Sequence, residues 1–178
     1  REDSPCNPLG VYGRTKRAGE EAIQATCDRH IILRTAWVYG AKGKGNFVKT
    51  ILRLGQEREQ LRVVYDQVGT PTWSRDIASA ISQLLPQLGP DTYGTYHFTN
   101  SGVTSWYDFA VETLALATNM GIRLTLQQVK PITTAEYPTP AQRPPYSVMG
   151  CEKIATLIGY SPPHWRQSLR KMMAEIYG

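Results

Sequence analysis

Cysteine and histidine are scarce in this sequence, with three of each among 178 residues. No two cysteines have the C-x-x-C spacing, and no two histidines have the H-x-x-x-H spacing of a zinc site. These absences predict neither a disulfide scaffold nor a metal centre, and they favour a reducing, cytoplasmic setting. No apolar stretch reaches the roughly 18 residues that a membrane-spanning helix needs, so no membrane association is expected.

The excess of positive charge is moderate and dispersed. Lys and Arg outnumber Asp and Glu by 20 to 15, which gives a net charge of +5. A positive field of this size favours anionic ligands. The basic residues form no long run and no nucleic-acid-binding motif, so nucleic acid is not an expected partner.

The apolar residues follow the pattern of an α/β protein. They make up 41% of the sequence, and we expect residues 1–178 to form a single α/β unit. Runs rich in β-branched residues alternate with stretches of helical period. This alternation predicts four strands, the first two of them buried and parallel, at 31–38, 61–65, 96–99 and 124–129.

Helices are predicted between and after these strands. The first two cover 14–27 and 46–57. The third is capped by Ser74 and ended by Pro90, and the fourth begins with Ser105 and Asp108 as a capping box. The last runs from Trp165 to Ile176 at the C-terminal end. Residues 131–147 hold five of the twelve prolines. That density predicts a long surface loop of the kind that often binds ligands.

Tyr12 and Lys16 form the first candidate site. Their i, i+4 spacing puts a phenol and an ammonium on one face of the first predicted helix. A nearby cation stabilises phenolate and makes tyrosine a usable general acid toward a carbonyl oxygen. The same spacing also arises by chance at the exposed start of an amphipathic helix, so it leaves both interpretations open.

Two further stretches follow predicted strands. The glycine-rich stretch 40–45, with Asp66 about 20 residues further on, has the elements of a dinucleotide site. Its spacing is G-x-x-G-x-G instead of G-x-G-x-x-G, which favours an exposed loop. Residues 66–72 turn from a strand end into a helix, where open α/β sheets place ligands, although a purely structural turn is equally consistent. Trp37 and Tyr39 end the preceding strand, where they either reach the same edge or pack on the sheet.

Taken together, these segments resemble the extended short-chain dehydrogenase/reductases. The resemblance rests on PLGVYGRTK at 8–16, LRTAWVYG at 33–40, NFVKT at 46–50, the DQ and PT pairs within 66–72, and RP at 143–144 with Ser147. Within that family, Trp37 in RTAW matches the members that reduce a keto group of a dTDP-sugar. Epimerases and dehydratases tend to carry RYFN at the same place.

The resemblance implies a Rossmann-like fold of parallel strands and flanking helices, with a small substrate-binding subdomain. It implies a reductase that uses NADPH or NADH, acts on a dTDP-sugar and supplies a cell-surface polysaccharide precursor. Tyr12 would donate a proton to the C4 keto oxygen of the sugar, and Tyr12, Lys16 and Thr35 would contact the cofactor. The substrate-binding residues that the resemblance implies are Trp37, Asn46, Phe47, Gln67, Pro71, Thr72 and Arg143.

The resemblance also implies what this chain lacks. Members of the family begin with a glycine-rich phosphate turn, whereas eleven residues precede Tyr12 here. We therefore expect the C-terminal, substrate-binding portion of such a reductase, which by itself neither binds the cofactor tightly nor reduces the substrate. An open sheet edge allows a homodimer. Ser74 and Arg75 stand near the places where some members carry acidic metal ligands, so a metal-linked dimer is not expected.

Three alternatives stay open on the sequence. The chain is a non-catalytic binding or regulatory module of the same fold, or it binds a dinucleotide through 40–45 and Asp66, or it belongs to another nucleotide-sugar reductase or an epimerase. The effect of Tyr12→Phe tests the first alternative, and NADPH binding by the chain tests the second. Product analysis tests the third.

Overall fold

The computed structural model describes residues 1–178, in which short strands alternate with longer helices. The helices are α1 (Val11–Thr26), α2 (Phe47–Glu57), α3 (Ser74–Leu84), α4 (Trp106–Asn119), α5 (Glu152–Ile158) and α6 (Trp165–Tyr177), and a 3-10 turn covers Leu85–Gln87. The strands are β1 (Ile31–Arg34), β2 (Val38–Tyr39), β3 (Gln60–Val64), β4 (Val68–Gly69), β5 (Thr72–Trp73), β6 (Gly94–His97), β7 (Thr104–Ser105) and β8 (Gln128–Ile132). None of the helices combines the length and the apolar composition that a membrane crossing requires.

The strands form four pairs. β1 pairs with β6, β2 with β5 and β3 with β8, all in parallel, and β4 pairs with β7 in antiparallel orientation. Parallel strands need long crossover connections, and helices supply them here. The predicted α/β class with parallel strands and flanking helices is therefore confirmed.

The largest core cluster lies where α2, α4 and α6 meet the end of β2 and β5. Because its apolar residues recur at helical spacing, α6 buries one continuous face, as the sequence pattern predicts. Ten buried residues form this cluster: Tyr39, Val48, Leu52, Trp73, Phe109, Ala117, Trp165, Leu169, Met172 and Met173.

The predicted helices are present, with shifted ends. Ser105 Oγ accepts a hydrogen bond from the Asp108 backbone N–H at 3.0 Å, so the predicted cap of α4 is confirmed. The prediction that Ser74 caps α3 is wrong, because Trp73 is the N-cap and Ser74 is the first helical residue. The α-helix also ends before Pro90, at Leu84, because Pro86 cannot donate the next helical hydrogen bond.

Two predicted strands differ from the observed ones. The stretch 31–38 is interrupted between β1 and β2, because Trp37 adopts a φ of 49° that no strand accommodates. The stretch 124–129 is mostly irregular, and the strand there, β8, reaches into the proline-rich segment at Pro131. β8 pairs only with β3, and a proline without an N–H is tolerated on such an edge strand.

Helix α1 is the one α-helix in which no residue is buried. Glu20 ties it to β1, because the Glu20 carboxylate accepts hydrogen bonds from Arg34 Nε at 2.8 Å and Nη2 at 2.6 Å. The bonded guanidinium lowers the pKa of Glu20. One ion pair, with both side chains largely covered, thus fastens α1 to the sheet.

Candidate active site

Tyr12 and Lys16 lie one turn apart at the start of α1. Lys16 Nζ is 5.9 Å from the centroid of the Tyr12 ring, so the two side chains share one face of the helix. Tyr12 is 76% exposed, and its hydroxyl forms no hydrogen bond. Its backbone carbonyl accepts a hydrogen bond from Thr15 Oγ1. The phenol and the ammonium are both free to contact a ligand.

Trp37 lies between β1 and β2 in an unusual conformation. It is the one residue other than glycine with a positive φ. Its carbonyl accepts a hydrogen bond from the Thr72 backbone N–H at 3.1 Å. Its ring stacks on that of Trp106, with centroids 3.5 Å apart and planes inclined by 8°. Thr35, two residues earlier, is exposed.

Residues 66–72 lie against Trp37, and hydrogen bonds hold both ends of this segment. Asp66 accepts hydrogen bonds from the backbone N–H and the hydroxyl of Thr134, which lower its pKa. Gln67 Nε2 donates to Thr134 Oγ1 at 3.1 Å. Pro71 and Thr72 are buried, and the Thr72 hydroxyl donates to the Thr70 carbonyl at 3.2 Å. Thr72 therefore shapes the turn with its side chain.

Asn46 and Phe47 begin helix α2 in different roles. Asn46 is the N-cap: its Oδ1 accepts from the Lys49 backbone N–H at 3.2 Å, and its Nδ2 donates to the Gly40 carbonyl at 2.8 Å. Both ends of its amide are thus engaged within the protein. The centroid of the Phe47 ring lies 4.6 Å from that of the Trp106 ring. Trp37, Trp106 and Phe47 together are called the aromatic group.

Arg143 belongs to the proline-rich segment, and the end of that segment is attached to β4. Val68 donates its backbone N–H to the Pro145 carbonyl at 2.8 Å, and its own carbonyl accepts from the Ser147 N–H at 2.8 Å. Arg143 itself is exposed, and no ion pair of the structure includes it. A cation without a protein partner therefore lies close in sequence to a fixed strand edge.

The predicted site residues thus fall into separate groups. Trp37 contacts the segment 67–72 directly and Phe47 through the Trp106 ring, and the segment that carries Arg143 adjoins them through Val68. No hydrogen bond, ion pair or aromatic contact joins Tyr12 or Lys16 to this group.

Two residues that contact Trp37, Gly69 and Trp106, were not predicted as site residues. A side chain at Gly69 would place its Cβ 2.6 Å from Trp37 Cε2, so only glycine fits there. Trp106 is predicted as an inward-facing helix residue, and it does pack against the core, but its stacking on Trp37 was not predicted. The only signal in the sequence was its place directly after the capping Ser105.

A cavity of about 310 Å³ opens next to Thr70. It brings Thr70 together with Thr99, Asn100 and Cys151, whose positions carry no motif. Burial raises the pKa of the Cys151 thiol, which is within 3.2 Å of the Thr99 backbone N–H. Glu152 also lines this cavity, so its wall combines neutral polar groups with one carboxylate.

The structure argues against a dinucleotide site at 40–45. A phosphate turn of that kind joins a strand to a helix that leads to a neighbouring parallel strand of the same sheet, but β2 and β3 pair with β5 and β8 and not with each other. Lys49 Nζ donates to the Gly43 carbonyl at 2.8 Å, and the Asp66 carboxylate is occupied by Thr134. Lys49 therefore holds the loop itself, and Asp66 holds the segment that carries Thr134, so neither group is free for a phosphate or a ribose.

An α/β fold of parallel strands, with Tyr12 and Lys16 exposed on one face at the start of a helix, is typical of the class of the extended short-chain dehydrogenase/reductases. The chain belongs to the family described as RmlD substrate binding domain, whose model matches residues 1–177.

Individual relatives agree with that family. The dTDP-4-dehydrorhamnose reductase of Escherichia coli K12 is 42% identical over 178 residues, which cover 99% of this chain and 59% of the relative. A crystal structure of the Clostridium acetobutylicum ortholog of this reductase is 40% identical with a TM-score of 0.87, covering 98% of this chain and 59% of that one. The Bacillus anthracis reductase, solved in complex with NADP, is 36% identical with a TM-score of 0.87, and the match covers 98% of this chain and 58% of that one. The chain thus spans about three fifths of the length of these relatives.

Proposed function

We propose that this chain is the substrate-binding portion of an NAD(P)H-dependent dTDP-4-dehydrorhamnose reductase, which reduces the C4 keto group of the dTDP-sugar to give dTDP-L-rhamnose. The longer protein that also carries the cofactor-binding portion is called the complete reductase. The observation that supports this proposal most is the free Tyr12 and Lys16 pair in a chain of this family. Residues 1–178 act in it as a single unit.

Tyr12 is the proton donor in the proposed reaction. Its hydroxyl proton passes to the C4 keto oxygen as that oxygen gains negative charge. The ammonium of Lys16, on the same helix face, stabilises the phenolate that Tyr12 leaves behind. When bound, the nicotinamide cofactor supplies the hydride that C4 receives.

The residues present fit one end of that cofactor. Lys16 and Tyr12 are free to bind the ribose next to the nicotinamide, and Thr35 is exposed on the neighbouring segment. The diphosphate needs a glycine turn at a helix start between paired strands, and the glycine-rich stretch 40–45 does not have that setting. The cofactor-binding portion of the complete reductase supplies that turn.

The dTDP-sugar is proposed to lie across the aromatic group. Trp37 and Phe47 offer an apolar wall for the sugar and the base. Gln67 is buried in the adjoining segment, where its amide donates to Thr134. Arg143 is an unpaired cation suited to the diphosphate. Asn46, Pro71 and Thr72 shape the floor through their contacts within the protein.

The substitution Tyr12→Phe in the complete reductase tests this function. Loss of the proton donor should lower kcat by at least about 100-fold while dTDP affinity, measured by calorimetry, stays within about twofold. Tyr177→Phe makes the same chemical change at an exposed position in α6 and should leave kcat unchanged. Full activity of Tyr12→Phe would overturn the proposal and favour a binding module.

A further inference from the structure

Trp37 is held in a conformation that its own backbone disfavours. A bulky residue with positive φ is an outlier, and it persists only where its surroundings fix it. The Thr72 N–H bond fixes its carbonyl, and contacts from two sides fix its indole ring: the stacked Trp106 ring, and the backbone of Gly69 beside Cε2 and Cζ2.

Both of these contacts are built on one strand pair. Gly69 lies in β4, and its ladder partner is Thr104 in β7. Trp106 follows β7 directly, as the first residue of α4, and Ser105 fixes that start by accepting the Asp108 N–H. The distance between Gly69 and the Trp106 ring is therefore set by a hydrogen-bonded ladder and a capped helix.

The Trp106 ring also couples Trp37 to Phe47. Phe47 lies 4.6 Å from Trp106, and Phe109 supports Phe47 from below at 5.5 Å. Trp106 thus lies between the two side chains that form the proposed sugar wall. The Trp37 indole N–H takes part in no hydrogen bond and is not one of the buried, unpaired polar atoms of the structure, so solvent or a ligand can reach it.

We propose that Trp106 is a positioning residue for substrate binding: it holds the Trp37 indole at the angle at which Trp37 meets the sugar of the dTDP-sugar. Trp106 acts through Trp37 and does not take part in proton transfer. This inference rests on the proposed function, because it requires Trp37 to contact the substrate.

A double-mutant cycle in the complete reductase tests the proposal. A stacked aromatic pair contributes enough free energy that its loss should raise the KM for the dTDP-sugar about 3- to 10-fold. We expect that rise for Trp106→Leu, with kcat lowered less than twofold, and partial rescue by Trp106→Phe. In a Trp37→Leu background, Trp106→Leu should change KM by less than twofold, because the residue through which it acts is gone.

Phe98→Leu is the matched control for damage to the core. Phe98 is fully buried in a separate core cluster and forms no aromatic contact with Trp37, Trp106 or Phe47, so its truncation should lower Tm without changing KM. An unchanged KM for Trp106→Leu would overturn the proposal, as would an equal rise in both backgrounds.

The test also separates this inference from the function on which it rests. If Trp37→Leu alone leaves KM unchanged, Trp37 does not contact the substrate and the inference falls with that contact. The reductase proposal is judged independently, by the effect of Tyr12→Phe on kcat.

Discussion

Asp76 is the one acidic residue that the protein buries, and no cation neutralises it. Its Oδ2 accepts hydrogen bonds from Asn100 Nδ2 at 2.7 Å and from Ser168 Oγ at 2.5 Å. Asn100 Oδ1 in turn accepts from the Trp73 backbone N–H at 2.8 Å. The carboxylate also lies in the first turn of α3, where the helix dipole favours negative charge. This network holds the start of α3, next to the turn at Thr72.

Replacing Asp76 tests that network. Asp76→Ala leaves the Asn100 amide and the Ser168 hydroxyl buried without an acceptor, and we expect a loss of about 3 kcal/mol in the free energy of unfolding. Asp76→Asn keeps an oxygen that accepts both bonds and should cost clearly less. Urea unfolding of the complete reductase gives both values, and an equal loss in the two variants would show that the charge, and not the acceptor, matters.

Contacts between distant parts of the chain explain what the sequence could not reveal about the site. Tyr12 and Lys16 were recognisable because their chemistry depends on a spacing within one helix turn. The partnership of Trp37, Gly69 and Trp106 depends on a ladder between strands more than thirty residues apart in the chain, and no local pattern encodes it. The positive φ of Trp37 has no signal in its neighbours either.

At the scale of elements, the start of α2 shows how a site residue acts through structure. Asn46 resembles a substrate-binding residue of the family, but its amide caps the helix and clamps Gly40. The cap keeps Phe47, the first helical residue, against Trp106. A contribution of Asn46 to binding is therefore expected to pass through the position of Phe47.

Two substitutions at Asn46 measure that contribution. Asn46→Ala should lower the free energy of unfolding by about 1 to 2 kcal/mol, because both the cap and the clamp are lost. Asn46→Asp retains the cap acceptor and should recover about half of the loss. Thermal unfolding of the complete reductase provides the comparison. If Asn46→Asp is as unstable as Asn46→Ala, the bond to Gly40 carries the effect instead of the cap.

Helices were predictable and strands less so, for a physical reason. A helix depends on apolar spacing and caps within its own sequence, and Ser105 with Asp108 is such a cap. A strand depends on its partner: β8 extends to Pro131 because β3 lies beside it on one edge only. Four of the eight strands are two residues long, too short to produce an alternating pattern.

At the scale of the whole molecule, α1 depends on charge more than on burial. The helix that carries Tyr12 and Lys16 has no buried residue, and the Glu20 and Arg34 pair fastens it to β1. The hydrogen bond from Arg34 lowers the pKa of Glu20 in the folded state. Acid should therefore loosen the helix that presents the proton donor.

The sign of this pH dependence is fixed by the lowered pKa of Glu20. The pair stabilises the fold fully above the pKa of Glu20 in the unfolded chain, about 4.3, and that contribution is lost as the pH falls through the lower folded pKa. Glu20→Gln should lower Tm of the complete reductase at pH 7, and the difference from wild type should shrink below pH of about 4.

An exposed pair provides the control for this experiment. Glu57 and Arg53 form an i, i+4 pair with both side chains more than half exposed, so Glu57→Gln should leave Tm nearly unchanged at either pH. A difference between wild type and Glu20→Gln that stays constant from pH 7 to pH 3 would contradict the assignment to the ion pair.

The strand pairing has a kinetic consequence. No two strands that follow each other in the chain are paired: Ile31 meets Gly94, and Gln60 meets Gln128. No hairpin can therefore form early and guide the rest, and long loops must close before the paired strands stabilise one another. Refolding should take milliseconds to seconds, slower than for a helical bundle of this length. During that interval unpaired strand edges stay exposed, so the yield of refolding should fall as protein concentration rises.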